Sequence, residues 1–323
     1  MPPRKTSRPP PYAARNSKSI PIPIPPALRN LLIRDKARLI VICILGFLSI
    51  LWLWKRSGGA SGLEPSGIVG SRAPVVIVTV IDPRANAAWV AKIMKNREDY
   101  AKKHGYATFF PSNTDYSLNN SPPSWAKVPA LRHAMTLHPT SGFFWYLDHT
   151  ALIVNPSISL QSHILSPSRL EKLMIANEPV VPPDSVIKTF GNLKGDRIDL
   201  IVTQDKEGLC QNSFIIRRGE WAKYFLDVWF DPIYRSYNFQ KAEAHALEHI
   251  VQWHGTILAK LALVPQNLIN AYTKGPASAK NGKYKDGDLI AAFPGCDKDK
   301  FTCADDMQPF FDVLAGNAQS GNA

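Results

Sequence analysis

The sequence predicts an α/β fold with a mostly parallel sheet and flanking helices, preceded by a single N-terminal transmembrane helix. Three observations predict it. Leu39–Trp54 is sixteen residues without a charge. Pro74–Asp82 (PVVIVTVID) is a continuous β-branched run, as found in strands buried on both faces of a parallel sheet. Beyond it, strand-like and helix-like stretches alternate, the order that βαβ units produce.

The elements follow in chain order. Residues 1–38 hold nine Lys/Arg against Asp35 alone and carry the run PIPIPP at Pro21–Pro26. Such a segment has too little apolar surface to form a core and reads as a cytoplasmic basic, Pro-rich tail. Leu39–Trp54 is a short span flanked by basic residues, apolar on every side with an aromatic end. The positive excess before it puts the N-terminus in the cytoplasm and the rest of the chain in a lumen. Residues 55–73, Gly- and Ser-rich from Ser57 to Ser71, read as a flexible stem. The globular domain is expected over 74–315, with a disordered tail at 316–323.

Within that domain a helix is expected over Asn86–His104, with Gly105 as its C-cap. A short strand follows at Ala107–Phe110. Pro122-Pro123 then breaks the chain before a helix at Trp125–Leu137. Phe143–Pro156 (FFWYLDHTALIVNP) reads as a buried strand, a polar interruption at Asp148, and a second strand ended by Asn155-Pro156. Later strands are expected at Leu200–Thr203, Ser213–Arg217, Leu261–Val264 and Leu289–Phe293. Later helices are expected at Ser168–Ala176, Glu220–Trp229 and Gln240–Trp253.

Charge and cysteines narrow the function classes. The formal net charge is +12 over 323 residues, but +8 of it lies in residues 1–38 and two more charges are Lys55 and Arg56. The remainder is nearly neutral, which argues against nucleic-acid binding. No G-x-G-x-x-G and no P-loop is present. Cys43 lies in the expected span; Cys210, Cys296 and Cys303 would face an oxidising lumen. Cys296 and Cys303 are near enough to bridge a short loop, and an odd cysteine remains. No Cys-x-x-Cys or paired-His spacing suggests zinc. Asn119-Asn120-Ser121 is a glycosylation acceptor in a polar segment.

Asp148 is the first functional candidate. An acid at the end of a buried strand is costly unless paired, and ligands sit at the carboxyl ends of strands in open α/β sheets. The plainer reading is a turn cap. Asn212, before the strand FIIRR, is either a donor or acceptor contact or a turn residue. Glu243 would face the open end of the sheet, or would simply favour a helix N-terminus. Lys127 is either a phosphate contact or a solvated helix lysine. His245 and His249 share a helix face, a spacing that fits a metal but fits a structural role better. Trp221, Tyr224, Phe225, Trp229 and Phe230 repeat at helical spacing and read as core or subunit contact.

Eight blocks together carry a resemblance to a known family. They are VVIVTVID (75–82), NREDYAKKHGY (96–106), WAKVPAL (125–131), WYLDHTALIVNPSISL (145–160), QNSFIIRRGEW (211–221), EAHALEHIV (243–251), VPQNLINAY (264–272) and GDLIAAFPGC (287–296). In order and spacing, from about Pro74 to Cys303, the chain resembles glycosyltransferase family 34, the galactosyl- and mannosyltransferase family. Within it, the chain looks most like the fungal α-1,6-mannosyltransferase subunits of the mannan polymerase complex. The resemblance implies a GT-A fold, a Rossmann-like sheet with a nucleotide half and an acceptor half. It implies a Golgi type II enzyme with GDP-mannose as donor, an oligomannose or N-glycoprotein acceptor, and partner mannosyltransferase subunits. It also implies retaining transfer helped by Mn²⁺, which neutralises charge developing on the diphosphate leaving group. By the same resemblance Asp148, Glu243 and Asn212 are the catalytic candidates. Thr79, Val80, Lys127, Asp148, His149 and Thr150 are the donor contacts, and Asp148, His149 and Thr150 the metal ligands.

The chain departs from the family pattern at three places. Asp148-His149-Thr150 stands where relatives often have Asp-x-Asp. Ala292 stands where they often have His before the Phe-x-Gly-Cys block. Glu243-Ala244-His245 stands where they tend to have an acid followed by Gln. Three readings follow: a metal held by Asp148, His149 or a displaced His245 or His254 together with the phosphates; a weaker metal dependence; or an accessory subunit whose partner catalyses. An α-galactosyltransferase using UDP-galactose is the alternative enzyme.

Overall fold

The computed structural model describes residues 73–181, 185–237, 239–297 and 303–320. The expected tail, the expected span at 39–54 and nearly all of the expected stem lie outside the described residues. Among the described residues, no helix is long and apolar enough to cross a membrane.

Strand β1 (Val75–Val78) is wholly buried, as its β-branched run requires. Helix α1 (Ala87–His104) begins at Asn86, whose side chain accepts the Trp89 amide. It ends at Gly105, which adopts φ 68°, a conformation that favours glycine. Strand β2 (Ala107–Phe109) returns parallel to β1. A 3₁₀ turn at Pro123–Ala126 leads into α2 (Lys127–Leu137). Strand β3 (Phe143–Leu147) then pairs parallel with β1 on its other side. These elements follow the expected order and nearly the expected bounds, except β1, which spans Val75–Val78 where a strand was expected over Pro74–Asp82.

The second half of the sheet departs from a mostly parallel plan. After β4 (Ala151–Ile153) and α3 (Pro167–Leu173), β5 (Leu200–Gln204) turns directly into β6 (Leu209–Arg217). β6 runs antiparallel to both β5 and β3. A short connection permits this, because antiparallel strands need no crossover. Asp205 Oδ1 accepts the amides of Glu207 and Gly208 and closes the turn. The expected strand at Ser213–Arg217 was too short by the Leu209–Asn212 half that makes the hairpin. Helices α4 (Glu220–Trp229), α5 (Pro232–Ser236), α6 (Glu243–Trp253) and α7 (Gly255–Leu258) follow, and β7 (Leu261–Leu263) pairs parallel with β5. The sheet order is β2-β1-β3-β6-β5-β7. The fold is therefore mixed α/β: three of the five pairings in this sheet are parallel.

One face of the sheet packs on α2, α4 and α6, with Trp125, Leu131, Phe225, Trp229 and Leu247 against Phe144, Tyr146 and Phe214. The other face packs Trp145, Leu147 and Ile77 on Tyr100 of α1 and Leu170 of α3. A second sheet, β4-β9-β8, is formed with β8 (Ala271–Tyr272) and β9 (Ile290–Ala292). A final helix, α8 (Cys303–Ser320), carries Pro309 and crosses position 315, where the domain was expected to give way to a disordered tail. Its first turn is tied to the end of the second sheet by a Cys296–Cys303 disulfide, leaving Cys210 free and buried. Trp221, Phe225 and Trp229 stack along α4. Phe225 and Trp229 are core, while Tyr224 is exposed.

Glu248 gives the fold a pH dependence. Its Oε1 accepts the Leu209 amide at 3.1 Å. Burial raises its pKa from the usual 4.5 to about 7, against the lowering effect of that hydrogen bond and of Lys241. Between those values the folded chain binds more protons than the unfolded one, so stability falls as pH rises through the window. Glu248→Gln is expected to flatten this slope and to raise stability at pH 8 by up to roughly 3 kcal/mol. Urea midpoints measured from pH 4.5 to 8 check it; a parallel slope in wild type and variant would contradict it.

Candidate active site

The site forms where β1 and β3 end side by side. Thr79 extends β1: its amide donates to Phe109 O at 3.1 Å and its hydroxyl to Leu147 O at 2.7 Å. Asp148 follows β3 directly, and its amide donates to Asn212 O at 2.8 Å. The chain must then turn to reach β4, and the Asp148 side chain makes that turn. Oδ1 accepts the Thr150 amide at 3.0 Å and the Thr150 hydroxyl at 2.9 Å. Oδ2 accepts the Tyr146 hydroxyl at 3.1 Å. Burial raises the Asp148 pKa, but the neighbouring His149 and Lys127 charges and the Thr150 hydrogen bonds outweigh it and bring the value down to about 2. The carboxylate is thus ionised at neutral pH.

Lys127 lines the same cleft as Asp148, and Glu243 pairs with the lysine from behind. Lys127 Nζ donates to Glu243 Oε1 at 2.8 Å, and the two side chains are only 4% and 3% exposed. The Ser124 hydroxyl donates to the other carboxylate oxygen at 2.6 Å. Lys127 Nζ also lies 5.4 Å from the centre of the Tyr146 ring, a cation–π distance. A chain of contacts therefore links Glu243, Lys127, Tyr146 and Asp148. Its charges alternate in sign, which is the arrangement that tolerates burial.

These groups open onto a cleft of about 280 Å³. Val80, Lys127, Asp148 and His149 line it, four of the residues expected from the sequence. Glu243 stands one step back and holds Lys127. Thr79 and Thr150 do not line the cleft; their hydroxyls are committed to Leu147 O and Asp148 Oδ1. Asn212 meets Asp148 through its backbone carbonyl. His245, His249 and His254 are also absent from the lining. His249 instead packs among Tyr234, Phe239 and Trp253. Ala292 pairs with Ala151 in the second sheet.

Other lining residues escaped the reading of the sequence. Asp82 and Arg84 form a bidentate pair at 3.0 and 2.7 Å on the rim. Trp89 sets its ring edge-on to His149, with ring centres 5.6 Å apart. Tyr146, Ser124 and Asp297 complete the walls. Asp82 ends the β-branched run and Tyr146 lies two residues before Asp148, so both had a positional signal. Trp89 and Asp297 had none, being brought in by α1 and by the loop after β9.

Residues 71–303 match the model of the galactosyl transferase GMA12/MNN10 family. The chain belongs to this family. An uncharacterised α-1,2-galactosyltransferase of Schizosaccharomyces pombe is 31% identical over 66% of this chain and 64% of its own length. The probable α-1,6-mannosyltransferases MNN11 and MNN10 of Saccharomyces cerevisiae are 32% and 31% identical, over 72% and 68% of this chain. The matches span 60% and 58% of those two relatives, so the chain aligns with about three-fifths of their length. All eight blocks named above fall within the matched residues.

Among the described residues, no three His, Cys, Asp or Glu side chains converge on one point. A pair does. His149 Nδ1 is buried without a hydrogen-bond partner and lies 3.4 Å from Asp148 Oδ1. An imidazole and a carboxylate suit Mn²⁺. Such hard cations often take one or two protein ligands and complete their shell with phosphate oxygens and water. The residues therefore fit a cation shared with a bound diphosphate, and Thr150 serves it by orienting Asp148.

Proposed function

We propose that this chain is a membrane-anchored type II glycosyltransferase of the Golgi. It moves mannose from GDP-mannose onto α-1,6-linked mannan of N-glycoproteins, with retention, as one subunit of a mannosyltransferase complex. The observation that carries the transferase reading is the ionised Asp148 at the end of the central strand β3, lining one cleft with the buried Lys127. A nucleoside diphosphate needs this mixture of charges. Lys127 and Arg84 offer positive charge to its phosphates. Asp148 and His149 would hold Mn²⁺, which when bound neutralises the charge that develops on the leaving diphosphate. Tyr146 and Thr150 keep the Asp148 carboxylate in one orientation. Glu243 keeps the lysine in the wall and is a positioning residue.

The named relatives favour two donors almost equally, since mannosyl- and galactosyltransferases match at 32% and 31% identity. Mannose is preferred because the sequence blocks resemble the α-1,6-mannosyltransferase subunits most. The test is transfer of labelled sugar from GDP-mannose and from UDP-galactose to an α-1,6-oligomannose acceptor by the full chain in detergent. Transfer from GDP-mannose is expected. Transfer from UDP-galactose alone would overturn the mannose assignment. No transfer by this chain from either donor, with activity restored by a partner subunit even when Asp148 is replaced, would make the chain an accessory subunit.

A further inference from the structure

The geometry points to Arg97 as the positioning residue that sets the Asp148–Thr150 turn, an inference whose functional part rests on the proposed diphosphate site. Arg97 projects from α1 and is 0% exposed. Its Nη2 donates to Asp148 O at 3.0 Å and also to Ala151 O. Its Nη1 donates to Asn96 Oδ1 at 3.0 Å. Asn96 in turn pairs with β4 as a strand would: its Nδ2 donates to Ile153 O and its Oδ1 accepts the Ile153 amide. The two neighbouring side chains of one helix thus grip both ends of the segment that carries Asp148, His149 and Thr150.

No carboxylate forms an ion pair with Arg97 among the described residues; its partners are carbonyls and an amide. A guanidinium buried in this way is costly, and a neutral side chain would pack more cheaply. What it supplies is geometric and electrostatic. Two carbonyls fixed by one planar group leave the turn a single conformation, which aims the Asp148 carboxylate into the cleft. The same fixed positive charge lies behind the carboxylate, on the side away from the cleft. Thr150 brings no second carboxylate to the turn; its hydroxyl only orients Asp148. The precision of a one-carboxylate site then falls on the support of its backbone, and supports of this kind typically change metal affinity by about 10–100-fold when removed.

The test uses the full chain in detergent, with Arg97→Met and Arg97→Lys. Hydrogen exchange at residues 148–154 reads positioning without any ligand. Calorimetric titration of GDP, and separately UDP, in the presence of Mn²⁺ reads the site. For Arg97→Met, faster exchange confined to 148–154 is expected, with at least about tenfold weaker nucleotide–Mn²⁺ binding and an unchanged melting profile. Arg97→Lys keeps the charge but loses the fork, and is expected to fall between the two in both readouts. Wild-type exchange in either folded variant overturns the positioning role; if Arg97→Met does not fold, Arg97→Lys decides it alone. Faster exchange in the variants, together with a wild-type chain that binds neither nucleotide, would uphold Arg97 and overturn the diphosphate site instead.

Discussion

Replacing Asp148 with Asn is expected to lower kcat/KM for sugar transfer by about a thousandfold or more, roughly 4 kcal/mol in transition-state stabilisation. The substitution keeps volume and one acceptor oxygen for Thr150, so the turn survives. It removes the charge that would hold a cation against the departing diphosphate. The loss should fall mainly on kcat, because the interaction strengthens as charge builds on the leaving group. Stability should change far less, by roughly 2 kcal/mol, the preference for the ionised form that the lowered Asp148 pKa reports; both Thr150 donors keep their acceptor oxygen, and the Tyr146 hydroxyl turns to accept from the new amide. Steady-state kinetics with urea denaturation of the same preparation separates the two effects. Full transfer activity in Asp148→Asn would remove the catalytic assignment of this chain.

Glu243→Ala is expected to be the most destabilising single change in the site. It leaves Lys127, 4% exposed, without its carboxylate partner. Breaking one half of a buried ion pair costs about 3–5 kcal/mol, which in a domain of this size lowers the melting temperature by about 10 °C. The double variant Lys127→Met with Glu243→Met replaces both charges by apolar groups of similar reach. It is expected to recover most of that loss, to within about 1–2 kcal/mol of wild type. Transfer should not recover, because the cleft then lacks the lysine cation that lines it with Asp148. A double variant as unstable as Glu243→Ala would show that the pair is not the cause, and one with restored activity would show that Lys127 does not meet the donor.

The part of this molecule legible in the sequence is the part set by short-range physics. Val75–Val78 could hardly be anything but a doubly buried strand. Asn86 and Gly105 mark the ends of α1 because a helix needs an acceptor at one end and a left-handed residue at the other. Asp148 was visible as an acid that a buried strand delivers to a turn. The antiparallel β6 was half visible, as the strand Ser213–Arg217; Gln211 and Asn212 before it are polar and carry no strand signal of their own. They are strand residues because the register of β5 and β3 carries them along, a tertiary cause with no local trace. The same holds for the site. Lys127 and Glu243 lie 116 positions apart, and nothing in either neighbourhood names the other. Arg97 adjoins Glu98 and Asp99 with no local mark of burial, yet it is among the largest fully buried side chains. Thr79 and Thr150 were expected in the cleft from the family resemblance; each hydroxyl bonds an acceptor in the fold itself.

The central claim is that Asp148 is the carboxylate of a shared cation and diphosphate site. Calorimetric titration of GDP into the wild-type chain and into Asp148→Asn, each with and without Mn²⁺, tests it most directly. The expected result is binding that Mn²⁺ strengthens at least about tenfold in wild type and does not strengthen in Asp148→Asn. Equal strengthening by Mn²⁺ in both proteins would contradict the claim.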